Sequence, residues 1–267
     1  MPSPYAQHDY GLRLEWGVEG VTTLAPDCAV LVVVDVMSFC TTVSVAIERG
    51  AAVLPLAWRD GATVRSAEAA GPAEAARPAG AVLAVDRRER GWSLSPSSLR
   101  TLPAGTTLEL PSPNGATLST TAAGLGCRVL AGCLRNVTAV ATMASRLAGG
   151  GAIAVVPAGE RWRLPDAPLR PAFEDLVGAG ALAGQLLELG HGPASPEARA
   201  AVAAFRAARR EGLAAALAGC ASGRELEAEG FGADVALAAE YDACDQSSLL
   251  RDGIFGGANA AELEHRE

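Results

Sequence analysis

Aromatic residues make up only 4% of the 267-residue chain, and no basic run is interleaved with them. Base-stacking platforms and phosphate-tracking stripes are therefore missing. Together with a formal net charge of −8, this argues against a nucleic-acid partner. An anionic ligand would need local positive charge or a metal to offset that overall field. Histidine is scarce, with three in all, and His8 and His265 lie near the ends. The cysteines, Cys28, Cys40, Cys127, Cys133, Cys220 and Cys244, form no Cys-x-x-Cys pair, so no clustered zinc ligands are expected. Met1-Pro-Ser-Pro-Tyr5 has neither a basic n-region nor an apolar core. A cytoplasmic protein with reduced thiols is expected. No uninterrupted apolar run reaches the ~20 residues that cross a bilayer, so no membrane partner is expected. There is no Gly-x-x-x-x-Gly-Lys-Ser/Thr loop and no Gly-x-Ser-x-Gly elbow. Gly178-Ala-Gly180-Ala-Leu-Ala-Gly184 follows an acidic helix start rather than a strand, so it reads as close helix packing.

What the chain does have is a 49% hydrophobic content and short aliphatic runs alternating with helical patterns. Strands are expected at 11–15, 29–35, 52–56, 81–85, 106–110, 128–131 and 152–156. Helices are expected at 41–49, 62–70, after Gly115 to about Ala123, and from Asn136 to Ala148. Further helices are expected at about 172–189, 196–218, 222–229 and 233–241. The segment 87–99 reads as irregular, 161–170 as a loop insertion, and the tail from Asp252 as polar and frayed. This alternation predicts a three-layer α/β/α fold with a mainly parallel, mixed sheet. One domain is expected, with a division into two lobes left open.

The organising stretch is Leu31-Val-Val-Val-Asp35, where four aliphatic residues run into one carboxylate. Such a run reads as a strand buried on both faces, which puts Asp35 at its carboxyl end. Ligand crevices of open α/β sheets lie outside those ends. Four strand ends carry polar groups: Asp35 with Ser38, Thr41 and Thr42; Ser112 with Asn114 and Gly115; Arg135 with Asn136; and Gly159 with Glu160. The asparagines precede helices and suit simple N-caps. Alternatively, these helix starts aim free N–H groups at a bound anion. The pair Glu174-Asp175 opens a long helix, which suits its dipole. It also offers a second carboxylate beside Asp35 for a hard cation such as Mg²⁺.

The same residues carry a family resemblance. Val33-Val-Asp35-Val-Met-Ser38-Phe-Cys-Thr41-Thr42, Ser112-Pro-Asn114-Gly115-Ala-Thr117 and Ala131-Gly132-Cys-Leu-Arg135-Asn136 occur in that order. Pro157-Ala-Gly159, Phe173-Glu174-Asp175, Ser222-Gly223-Arg224-Glu225-Leu226 and Gly232-Ala-Asp234-Val235 follow. The chain resembles the 2-phosphosulfolactate phosphatase (ComB) family over roughly 31–245. That resemblance implies a Mg²⁺-dependent hydrolase releasing sulfolactate and phosphate, a step towards coenzyme M. It implies Asp35, with Glu174 or Asp175, at the metal. Ser38, Thr41, Thr42, Asn114, Gly115, Arg135, Asn136 and Glu160 are then expected around a small anionic phosphate ester. Ser38 stands where the family's first motif has an arginine, with Arg135, Arg161 or Arg90 as candidates to compensate. A non-hydrolytic anion-binding or regulatory protein on the same scaffold is the alternative. Apolar helices leave a homodimer open.

Overall fold

The computed structural model describes residues 3–59, 62–63, 78–164 and 166–258. The first half of the chain forms β1 (Leu12–Leu14), α1 (Gly17–Leu24), β2 (Val30–Val34), α2 (Phe39–Glu48), β3 (Ala52–Arg59), β4 (Ala62–Thr63) and β5 (Val82–Leu83). Next come β6 (Thr107–Ser112), α3 (Gly115–Gly124), β7 (Arg128–Gly132), α4 (Val137–Ala148) and β8 (Ile153–Pro157). A short hairpin, β9 (Glu160–Arg161) and β10 (Leu169–Arg170), leads into α5 (Phe173–Glu188) and α6 (Pro196–Glu211). Three short helices, α7 (Leu213–Gly219), α8 (Ala221–Ala228) and α9 (Gly232–Ala238), precede β11 (Ser247–Arg251) and β12 (Ile254–Ala258).

The sheet runs β1-β8-β2-β7-β11-β12-β3-β6-β5, with β4 attached to β3. Along β2 the side chains alternate between two cores, as strand geometry requires. Val30, Val32 and Val34 pack with α4, α5 and α6, whereas Leu31 and Val33 pack with α1, α2 and α3. Helices on both faces of a mixed sheet make the expected three-layer α/β/α fold. At Gly180 an added Cβ would run into the backbone of Ala201 on α6, so the glycine pattern of α5 serves close helix contact. No helix among the described residues is long and apolar enough to cross a membrane.

Three expectations need correction. The tail from Asp252 is not frayed up to Ala258: β12 pairs with β11 over five residue pairs inside the sheet. Its Phe255 is fully buried and meets Phe39 of α2 edge-to-face at 6.1 Å. Short runs broken by Asp252-Gly253 and Gly256-Gly257 hid this hairpin, because only tertiary pairing makes them strands. The helix expected over 196–218 is broken at Gly212, whose φ of 100° leaves helical geometry. Ala62–Thr63 pairs with β3 rather than opening a helix, and the rest of that expected helix lies outside the described residues.

The hairpin also changes how the sheet is read. β1, β8, β2 and β7 are mutually parallel, and so are β3, β6 and β5. Between them β11 is antiparallel to β7, and β12 is antiparallel to both β11 and β3. Three reversals in a flat sheet would send β6 to end on the edge opposite β2. Each link to the hairpin rests on one residue pair, Leu249 with Leu130 and Phe255 with Val53, so those strands can cross steeply. The carboxyl ends of β2 and β6 nonetheless meet, since Asp35 just after β2 accepts the N–H of Gly115 just after β6.

Candidate active site

Asp35 sits at that meeting point, 4% exposed. Its Oδ1 accepts the N–H of Phe39, the first residue of α2, at 3.1 Å. Its Oδ2 accepts the N–H of Gly115, the first residue of α3, at 2.8 Å. Two helix N-termini therefore hold one carboxylate, and both dipoles favour its charge. The N–H of Gly115 is not free for a substrate anion, contrary to expectation. Asp175, in the first turn of α5, plays a parallel part. It accepts from Val36 N–H at 2.7 Å and Gly159 N–H at 2.8 Å, tying the ends of β2 and β8 to α5.

Four acids gather here. Glu160 extends from β9 and accepts from Asn114 Nδ2 at 3.2 Å. Glu174 is 1% exposed, and its Oε2 accepts from the Cys220 thiol at 3.3 Å. Burial pushes Asp35 up to about 6; its two backbone N–H partners pull against this, and Glu174 adds to it. Burial first, then Asp35 and Glu174, push Glu160 up to about 7. Asp175 is raised well above the usual carboxylate range, again by burial and then by Asp35 and Glu174. Burial is the largest cause of each shift, and repulsion among the neighbouring acids adds to it.

A pocket of about 260 Å³ opens beside Asp35. Asp35, Ser38, Asn114 and Glu160 line it, so four of the expected residues converge. Its roof comes from α8 through Ser222, Glu225 and Leu226, with Glu229 just beyond. Its one lining cation among the described residues is Arg87, from the irregular segment after β5. Arg87 Nη2 donates to Ser38 Oγ at 2.7 Å and to Leu94 O at 3.1 Å, and Nη1 reaches Asp234 of α9 at 3.3 Å. The hydroxyl that replaces the expected motif arginine thus takes a guanidinium from elsewhere in the chain. Arg87 went unassigned because nothing in 87–99 shows periodicity. A cluster of arginines soon after a strand end was the only signal.

Other expected residues are buried nearby without lining the pocket. Thr41 donates to Val36 O at 2.8 Å, and Thr42 to Ser38 O and Leu94 O, both at 2.9 Å, so their hydroxyls brace the β2–α2 turn. Asn136 binds Cys133 N–H at 2.9 Å and Ala131 O at 3.2 Å, which closes the turn after β7. Arg135 pairs with Glu48 at 2.6 Å and with Glu240. Its direction is fixed by those acids, away from the pocket. Arg161 holds Ala167 O, and Arg90 is exposed. Glu174 and Asp175 stand behind the pocket wall rather than in it.

A family model described as 2-phosphosulpholactate phosphatase matches residues 19–252. The chain belongs to the 2-phosphosulpholactate phosphatase family. Its name denotes a phosphoric monoester hydrolase, and every pocket-lining residue falls inside the matched span. No curated protein matches the chain. The family match stops before β12, although β12 is built into the sheet.

The donors present suit a hard cation. Asp35 and Glu160 offer carboxylate oxygens to the pocket, each with a second lone pair beyond the hydrogen bonds described. Among the described residues no three His, Cys, Asp or Glu side chains already surround a common point. Mg²⁺ accommodates this, since it is held by one or two carboxylates together with waters and substrate phosphate oxygens.

Proposed function

We propose that this protein is a Mg²⁺-dependent phosphatase that hydrolyses 2-phosphosulfolactate, or a similarly small multiply anionic phosphate ester, to sulfolactate and phosphate. The observation that carries this reading is the convergence of Asp35 and Glu160 on a pocket that also holds Arg87, in a member of a phosphatase family. Asp35 and Glu160 would hold the metal. Glu174, behind them, would reinforce the negative field that draws a cation in, while Asp175 would hold the ends of β2 and β8. When bound, Mg²⁺ would polarise the phosphoryl group and lower the pKa of a coordinated water. The two helix N-termini on Asp35 keep its carboxylate rigid and oriented, so little reorganisation is needed as charge develops. Asn114 holds Glu160 in place, and α8 limits water access from above.

The test is phosphate release from a panel of small phosphate esters, with Mg²⁺ and with chelator. Metal-dependent turnover that prefers esters bearing further anionic groups supports the reading. The alternative of an anion-binding protein without hydrolysis draws on Ser38 and on the four acids, Asp35, Glu160, Glu225 and Glu229, that line the pocket against one arginine. Mg²⁺-dependent ligand binding with no turnover of any ester would decide for it.

A further inference from the structure

We propose that Arg87 reads the anionic group of the ligand that is not transferred, and that Ser38 is the notch that seats its guanidinium. The proposal rests on the phosphatase reading for the identity of the transferred group. Its own grounds are separate.

The pocket lining is strongly acidic, and Arg87 is its one cation among the described residues. A phosphoryl group can be neutralised by a metal held on Asp35 and Glu160. A second anionic group on the same small molecule has no such partner, and in a pocket of about 260 Å³ it cannot lie far from Arg87. Guanidinium suits that task, because it stays charged and keeps N–H groups to donate to carboxylate or sulfonate oxygens after its protein contacts are made. The chain contains no lysine, so every side-chain ammonium is excluded from the role.

Arg87 is held in place by an ion pair to Asp234 that engages only one of its N–H groups. Phe231 lies under its guanidinium, 5.1 Å from ring centroid to Cζ. Asp234, in turn, is fixed by Ser95 Oγ at 2.8 Å and Ser97 N–H at 3.0 Å. Arg87 donates three hydrogen bonds, to Ser38, Leu94 and Asp234. A guanidinium has five N–H groups. The Nε–H and one Nη1–H thus have no partner among the described residues, and each can donate singly to a ligand oxygen. A bare strut between α2 and α9 would need no pocket-facing surface, yet Arg87 lines the pocket and its side chain keeps 17% exposure. Ser38 is small enough to let the guanidinium in and polar enough to accept from it. A larger side chain at 38 would compete for the same space.

The experiment compares wild type, Arg87→Lys, Arg87→Ala and the double variant Arg87→Ala/Ser38→Arg. Substrates are phosphoglycolate, which carries a carboxylate, and ethyl phosphate, which does not. Arg87→Ala is expected to raise KM for phosphoglycolate about 10- to 100-fold, the equivalent of ~1.5–3 kcal/mol for hydrogen bonds to a charged group. For ethyl phosphate KM should stay within about 3-fold, by the same reasoning that only the lost charged contact matters. Arg87→Lys should fall between, and the double variant should recover part of the loss. Equal losses on both esters, or no recovery in the double variant, would overturn the proposal. Should wild type turn over neither ester, calorimetric binding of sulfoacetate and inorganic phosphate with Mg²⁺ tests Arg87 independently of hydrolysis. Selective weakening of sulfoacetate in Arg87→Ala supports its role. Equal weakening, or no sulfoacetate binding by wild type, refutes it. Circular dichroism and thermal unfolding of each variant separate these results from loss of the fold.

Discussion

The N–H of Gly115 and Oδ2 of Asp35 lie 2.8 Å apart, joining the start of α3 to the end of β2 across the two half-sheets. This bond shows that the fold brings together strand ends that ladder direction alone would separate. It also leaves no room at position 115. A Cβ there would lie 2.8 Å from that same oxygen and 2.7 Å from Phe39 Cγ.

Gly115→Ala should therefore displace either Phe39 or Asp35. Over-packing of this kind costs about 1–3 kcal/mol, and it also disturbs the carboxylate at the pocket. The expected result is a lowered melting temperature and more than ~10-fold lower Mg²⁺-dependent phosphate release, since misplacing a reacting group by about 1 Å can cost 100-fold. Parallel assays of unfolding and turnover check both. Unchanged turnover would mean the Asp35–Gly115 junction does not matter to the chemistry.

Asp35→Asn and Glu160→Gln should behave differently. Both oxygens of Asp35 accept from backbone N–H groups, so an asparagine NH₂ would face a donor with a donor. That mismatch costs about 1–3 kcal/mol, partly offset by removing a buried charge. Glu160 accepts from Asn114 alone among the described hydrogen bonds, and the amide oxygen of glutamine can keep that bond. Glu160→Gln should thus match the metal-free wild-type melting temperature at low pH and exceed it at pH 8, while weakening Mg²⁺ binding about 10-fold or more, because a charged metal ligand is lost. A Mg²⁺ titration of both variants, followed by unfolding and turnover, makes the comparison. Wild-type Mg²⁺ affinity in Glu160→Gln would remove it from the metal site.

Stability without metal should fall as pH rises. Burial and neighbouring acids lift Asp35 to about 6 and Glu160 to about 7, both above their unfolded values. A carboxyl raised in the fold contributes stability that is fully present below its unfolded pKa and is lost as pH passes through the folded one. The melting temperature of the metal-free protein should drop as pH rises from about 4 to about 7, and Mg²⁺ should restore it at pH 8 but not at pH 4. Turnover should rise with pH over the same window as the donors ionise. Differential scanning fluorimetry across pH, with and without Mg²⁺, reads the first two effects. A Mg²⁺ stabilisation that is equal at both ends would contradict this assignment.

Phe255→Ala should be among the more damaging core substitutions. The ring is fully buried against Phe39, and Phe→Ala changes in such places cost about 3–5 kcal/mol. Urea unfolding is the measurement. Ending the chain at Asp252 should abolish cooperative unfolding, because it removes the strand that links the half-sheets.

All six cysteines are free. Six thiols should react in the denatured, unreduced protein, and fewer would indicate a disulfide formed on purification.

The local readings were available from the sequence because they depend on short-range physics. Four aliphatic residues before Asp35 specify a strand buried on both faces, and its two-residue period sends Val32 and Leu31 to opposite cores. Asp35, Ser38, Asn114 and Glu160 were identified as pocket candidates from strand-end position alone. Thr41, Thr42, Arg135 and Asn136 shared that signal but turned into the protein, since a residue's place in the chain does not set which partner its side chain meets. The sequence could not order the strands. The β11–β12 hairpin lies far along the chain from both strands it joins, and its glycine-rich run becomes β structure only when paired. Nor could it bring Arg87 to Ser38, 49 residues apart in the chain and 2.7 Å apart in space. Buried Asp234 and the Phe231 ring settle that contact, and both reach Arg87 only once the chain has folded.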